Sequence, residues 1–127
     1  MSGTEKVPIG LTYEDMTRVR VVRGPEQTKI ESIEVYPYPD LKRLWVRIEL
    51  TPFDERPSLD LEIFDPRGNL VSEMLVVDAM EYSFSVTMHL RNAPEPDETY
   101  FLRASLVRGQ EEIDSFERTF DLVFVDL

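Results

Sequence analysis

The chain has 127 residues, no cysteine, 42% apolar residues and a formal net charge of −11 with a pI near 4.5. That length and apolar content are those of one globular domain with a core of its own. The charge opposes binding to duplex nucleic acid or an anionic membrane surface, and the missing thiols exclude disulfides and cysteine chemistry.

No apolar run is long enough to cross a bilayer, and the opening MSGTEKVPIG lacks the apolar centre of a secretory signal, so a cytoplasmic location is the expectation. Residues 1–29 carry five basic and four acidic groups, which leaves a net of −12 on residues 30–127. Two parts are therefore expected: an N-terminal segment, 1–29, and a folded domain, 30–127. Within the first, residues 1–16 have no apolar period and contain Gly3, Pro8 and Gly10, which reads as loosely packed or mobile chain. Thr17–Arg23 alternates Val19 and Val21 with Arg18 and Arg20, the pattern of an edge strand with charge on its outer side.

From Ile30 onward the apolar period is two. It predicts strands over Ile30–Tyr36, Arg43–Thr51, Leu59–Phe64, Leu70–Val77, Glu81–Arg91, Thr99–Arg108 and Glu112–Asp126. Pro37-Tyr38-Pro39-Asp40 separates the first two. Asp65-Pro66-Arg67-Gly68-Asn69 has the chemistry of a type I turn closed by a left-handed glycine, which predicts a hairpin of the third and fourth strands. The inner faces should be built from Val46, Ile48, Leu61, Ile63, Tyr82, Phe84, Val86, Met88, Leu90, Tyr100, Leu102, Leu106, Phe120, Leu122 and Phe124. The outer side of the hairpin should carry Phe64 and Leu70, with Met74, Phe101 and Val107 near them. The expected fold is an all-β, two-sheet antiparallel sandwich of immunoglobulin-like type. The first, second and fifth strands fall in one sheet and the other four in the second, with the N-terminal segment as an addition.

Asp97-Glu98-Thr99-Tyr100-Phe101-Leu102-Arg103-Ala104 resembles the opening of strand F in bacterial immunoglobulin-like and fibronectin type III-like domains. Ile63-Phe64-Asp65-Pro66-Arg67-Gly68 resembles their C–C′ turn. The resemblance implies that Tyr100 is a corner tyrosine whose hydroxyl ties a loop to the sheet. The cysteine pair of antibody domains is absent, and Trp45 stands on the second strand rather than the third.

Catalytic patterns are missing. His89 is the only histidine, on a strand face between Thr87 and Arg91, and no glycine-framed serine or phosphate-cradling glycine loop occurs. A surface histidine is the reading, and no cofactor, metal or enzymatic activity is expected. Acidic loops with Asp54, Glu55, Asp78, Glu81, Glu111, Glu112 and Asp114 meet at one end of such a sandwich, without a calcium-loop spacing; solvated acids are the simpler account.

The outward aromatics carry more information. Leu44, Val46, Ile48 and Leu50 set the register of the second strand and turn Trp45 outward. Tyr36, Arg43, Trp45, Arg47, Thr87, His89 and Arg91 then share one outer face, a cationic and aromatic patch rich in the residue types that dominate interfaces. Its cover is either the chain's own residues 7–23, a second copy in a homodimer, or another protein. The expected function is a non-enzymatic binding or protein-interaction module acting through a sheet face or edge. A carbohydrate-binding module that stacks sugars on Tyr36, Tyr38 and Trp45 is the alternative, and an enzyme a distant third.

Overall fold

In the computed structural model, residues 28–126 are described. The expected N-terminal edge strand at 17–23 lies outside them. Seven strands follow in order: β1 (Ile30–Pro37), β2 (Arg43–Leu50), β3 (Ser58–Phe64), β4 (Leu70–Val76), β5 (Ser83–His89), β6 (Thr99–Arg108) and β7 (Glu111–Asp121). They form a three-stranded sheet, β1-β2-β5, and a four-stranded sheet, β4-β3-β6-β7, with every pairing antiparallel. This is the immunoglobulin-like arrangement that the period-two pattern predicts.

The alternation is visible in the burial. Leu44, Val46 and Ile48 on β2, Leu59, Leu61 and Ile63 on β3, and Leu102, Ala104 and Leu106 on β6 are each 0% exposed, and they meet between the sheets. Asp65 fixes the β3–β4 turn. Its carboxylate accepts from the backbone N–H of Arg67 and of Asn69, both at 2.9 Å, and Gly68 takes the left-handed φ of 89° that the turn requires. Tyr100 is 2% exposed, and its hydroxyl accepts the backbone N–H of Glu95 at 3.1 Å. The β5–β6 loop is thus tied to the sheet as a corner tyrosine would tie it. Arg67 bridges Asp65 and Glu95 and joins that loop to the turn.

Several expected core residues are corrected. Tyr82 is 46% exposed, because β5 begins one residue later and the ring packs edge-on against Phe53 at the rim, 4.9 Å between centroids. Phe124 is 44% exposed: β7 ends at Asp121, the chain bends where Val123 N–H donates to the Asp121 carbonyl, and the alternation stops after buried Leu122. Phe84 and Val86 on the edge strand β5, and Leu90 just past its end, pack against the core as expected but are only half-buried. Met74 turns inward rather than onto the hairpin's outer side, because a bulge at Phe64/Leu70 shifts the register of β4. Phe64 and Phe101 do share the outer side, 6.0 Å apart.

Polar side chains close the two seams between the sheets. On one side Arg118, inward on β7 between Phe116 and Phe120, donates to the Ile33 carbonyl at 3.0 Å and to Glu34 at 2.9 Å, while Asp114 accepts Ile30 N–H at 2.8 Å. On the other side Arg91 N–H donates to the Val71 carbonyl and its guanidinium to Glu73, at 2.8 and 3.0 Å.

Candidate binding face

The outer face of the three-stranded sheet follows from the register. Tyr36 lies across from Trp45 and Trp45 across from Thr87; Glu34, Arg47 and Ser85 form the next row, and Arg43 faces His89. Because Leu44, Val46 and Ile48 are committed to the core, Trp45 has only the outer side available. It is 37% exposed and Tyr36 is 43% exposed; their rings sit 5.3 Å apart at 37°. That is a favourable distance for an aromatic pair.

The arginines of this face are each held by a carboxylate. Arg43 donates to Asp40 at 3.0 Å and lies over the Tyr38 ring at 4.4 Å. The Lys42 backbone N–H, followed by the Arg43 guanidinium, holds the Asp40 carboxyl below its usual range. Arg47 donates to Glu49 at 2.9 Å and to the Ser83 hydroxyl at 2.8 Å, and Ser83 donates to Glu49 at 2.9 Å. Arg47 first, then Ser83, lowers the pKa of Glu49. The patch that reads as cationic in the sequence is electrically balanced in the fold. Its chemistry is aromatic, with ion pairs as a frame.

Six of the seven expected residues share this surface. His89 is exposed opposite Arg43 at the end of β5, and the Thr87 hydroxyl stands 3.5 Å from the Tyr38 hydroxyl. Arg91 is turned away to the seam with β4. Phe124, outside the expected set, joins instead: with Tyr36, Pro37, Tyr38, Pro39 and Trp45 it walls a shallow groove of about 280 Å³. In the sequence Phe124 continues the inward alternation of β7, so only the bend after Asp121 reveals its place.

The His89 side chain makes no hydrogen bond among the described residues, and no group of three or more metal-ligating side chains occurs among them. The acidic loops bring Asp54 and Glu81 to one shallow pocket beside Arg56 but form no metal-holding group among the described residues, and Asp114 accepts Ile30 N–H.

No family model and no curated protein matches the sequence. Solved structures do match the fold. A β-glucuronidase from Ruminococcus gnavus in complex with C6-substituted uronic isofagomine superposes with a TM-score of 0.55 at 13% identity, over 75% of this chain and 16% of that one. A glycosyl hydrolase family 2 member from Bacteroides cellulosilyticus DSM 14838 gives 0.56 at 17% identity, over 75% of this chain and 15% of that one. An FMN-binding β-glucuronidase from Facaelibacterium prausnitzii L2-6 gives 0.52 at 19% identity, over 72% and 14%. The chain thus resembles a small β-sandwich portion of much longer proteins. At these identities the likeness is one of fold.

Proposed function

We propose that the domain is a non-enzymatic protein-interaction module, of the bacterial immunoglobulin-like kind, that recognises its partner through the outer face of the β1-β2-β5 sheet. The observation that carries this reading is the exposed Tyr36–Trp45 pair with Phe124 beside it, a set of large aromatic side chains on one open face. Such residues supply most of the energy of protein interfaces, and a surrounding frame of charge pairs excludes water from the centre. Balanced ion pairs at the rim favour a partner chosen by shape and aromatic contact over one steered by net charge. A cysteine-free chain suits a reducing cytoplasm.

Trp45 is the only tryptophan, so its emission reports on this face alone. Iodide should quench it readily in the full chain, and equally at every dilution. Quenching that appears only on dilution makes the partner a second copy. Shielding at all concentrations would overturn the reading, since the face would then be covered by the chain itself.

A carbohydrate-binding module is the second reading. It is favoured by the outward Tyr36–Trp45 rings and by the glycosidases in which a sandwich of this shape occurs. The 37° tilt between the rings weighs against a flat stacking platform. Saturable change of Trp45 emission with one member of an oligosaccharide panel, abolished by Tyr36→Ala, would replace the first reading by the second.

A further inference from the structure

The two sheets leave an opening on the side where β1 and β7 are their respective edges, and its halves differ. In the half near the start of β1, Asp114 takes Ile30 N–H and Arg118 takes the Ile33 carbonyl, so side chains from β7 occupy the strand's outward backbone groups. In the other half no β7 side chain reaches the β1 backbone among the described residues; the Arg118 guanidinium turns there to the Thr119 carbonyl, at 3.3 Å. There a cavity of about 460 Å³ is walled by Val35, Pro37, Phe120, Val123 and Val125, with Arg118, Thr119 and Asp121 as its polar lining.

Both walls are strand edges. Tyr38 N–H donates to the Arg43 carbonyl, so alternation directs Tyr36 and Glu34 at β2 and turns the N–H and C=O of Val35 outward. On β7, Leu122 exchanges hydrogen bonds with the Asp97–Glu98 backbone, which turns the N–H and C=O of Thr119 outward by the same rule. The outward groups of Val35 and the Thr119 N–H have no partner of this kind among the described residues, while the Thr119 carbonyl accepts Arg118 Nε at 3.3 Å. An edge with open hydrogen-bonding groups is a template for another strand.

We propose that this slot takes an extended segment of another protein, which pairs with β7 at Thr119 and lengthens the four-stranded sheet. The slot adjoins the aromatic groove, with which it shares Tyr36 and Pro37, but its hydrogen-bonding edge is that of β7. The alternation of β7 dictates the chemistry of the segment. Positions beside inward Phe120 enter the apolar slot, so they are apolar. Positions beside outward Glu117, Thr119 and Asp121 stay in solvent; Asp121 has no ion pair among the described residues, and Glu117 faces Arg103 across the strands without one, Arg103 lying 3.6 Å from Glu62 instead. Cross-strand neighbours of opposite charge stabilise a pair, so these positions are basic. The segment is a short strand with apolar and basic residues in alternation, and the acidic average of the chain favours its approach.

The test uses the isotope-labelled full chain and two blocked pentapeptides, Arg-Val-Arg-Val-Arg and Glu-Val-Glu-Val-Glu. The basic peptide should shift amide signals of residues 33–37 and 117–125 saturably, and slow the exchange of the Thr119 amide by about tenfold or more as a strand bond forms. The acidic peptide should do neither. Thr119→Pro removes the edge donor at a position where an edge strand tolerates proline, and should weaken binding about tenfold. Should that variant unfold, the pair Glu117→Lys with Asp121→Lys serves instead and should exchange the preference between the two peptides. Four results overturn the proposal: a Thr119 amide already slow in the free chain, which would mean that the chain fills its own slot; shifts centred on the acidic face around Asp60 and Glu62; unchanged affinity in the variants; or no saturable binding.

Discussion

The two sheets are built from one rule on their inner faces and from two on their outer faces. Inward, both carry the same aliphatic rows, and β2 and β3 are interchangeable in kind: Leu44, Val46 and Ile48 against Leu59, Leu61 and Ile63. Outward, they part. The three-stranded sheet shows Tyr36 and Trp45 framed by Arg43–Asp40 and Arg47–Glu49. The four-stranded sheet shows a row of Glu73, Glu62, Arg103 and Glu117, in which one cation stands among three carboxylates. Core packing leaves the outer faces nearly unconstrained, so one sheet is free to serve solubility and the other to serve the recognition proposed for it.

The sharpest test of that division compares inner and outer positions of the same strands. Leu61→Ala and Ile48→Ala each empty a fully buried site and should cost about 2–5 kcal/mol in urea unfolding. Trp45→Ala, one strand position class away, should cost only about 1–2 kcal/mol despite the larger side chain, because much of the indole already meets water. Equal costs for the three would dissolve the distinction. Phe84→Ala should fall below the core values, since that ring is half-buried.

Next comes the loop end of the four-stranded sheet. Tyr100→Phe keeps the buried ring and removes the acceptor of Glu95 N–H, so it should cost about 1–2 kcal/mol and speed hydrogen exchange at Glu95. Asp65 adds a pH dependence. Asn69 N–H foremost, with Arg67 N–H and the Asn69 amide, holds its carboxyl below the ordinary value of 3.8. A lowered folded pKa gives stability that is fully present above the ordinary value and lost as pH falls through the folded one. Asp65→Asn should therefore be less stable at neutral pH and should lose less on acidification from pH about 5 to 2. An unchanged slope in acid would show that other carboxylates, Glu95 among them, govern acid unfolding.

Most of this division is legible in the sequence wherever the period of two is unbroken. The Gly68 turn, the outward Trp45 and the buried Tyr100 follow from alternation and turn chemistry, and the assignment of strands to sheets from the strand order of a seven-strand immunoglobulin-like sandwich. Legibility fails where a strand ends. Phe124 and Tyr82 keep the parity of the core, but the backbone leaves the sheet at Asp121 and joins it only at Ser83. Parity holds no information about those ends. It also hides the partners of charges: Arg91 has the parity of the outer face and Arg118 that of the inner one, and only the packing of one sheet on the other sets them across the two seams. The balance of the aromatic face is lost for the same reason. Arg47 and Glu49 share the outer face of one strand, which the sequence tells, but the serine that locks them comes from Ser83 on another.

The smallest expected effect concerns the acidic row. Arg103 lies 3.6 Å from Glu62 and across from Glu117, with its guanidinium 5.8 Å from the Phe64 ring centroid. It is half-exposed, so the pair is screened and weak, in the range of about 0–1 kcal/mol. Removing it has a second consequence. Glu62 faces Glu73 on the neighbouring strand and Glu117 stands one strand beyond Arg103, so no cation would be left between them, and like charges in one row of a sheet destabilise it. Arg103→Gln should therefore cost about 0.5–1 kcal/mol at low ionic strength, and most of that should vanish in about 1 M salt, where the screening length falls to about 3 Å. The matching change on the aromatic sheet, Arg43→Gln, leaves Asp40 accepting two backbone N–H groups and should show far less salt dependence. If both variants responded to salt alike, the four-stranded sheet's outer face would not be the electrostatically loaded one.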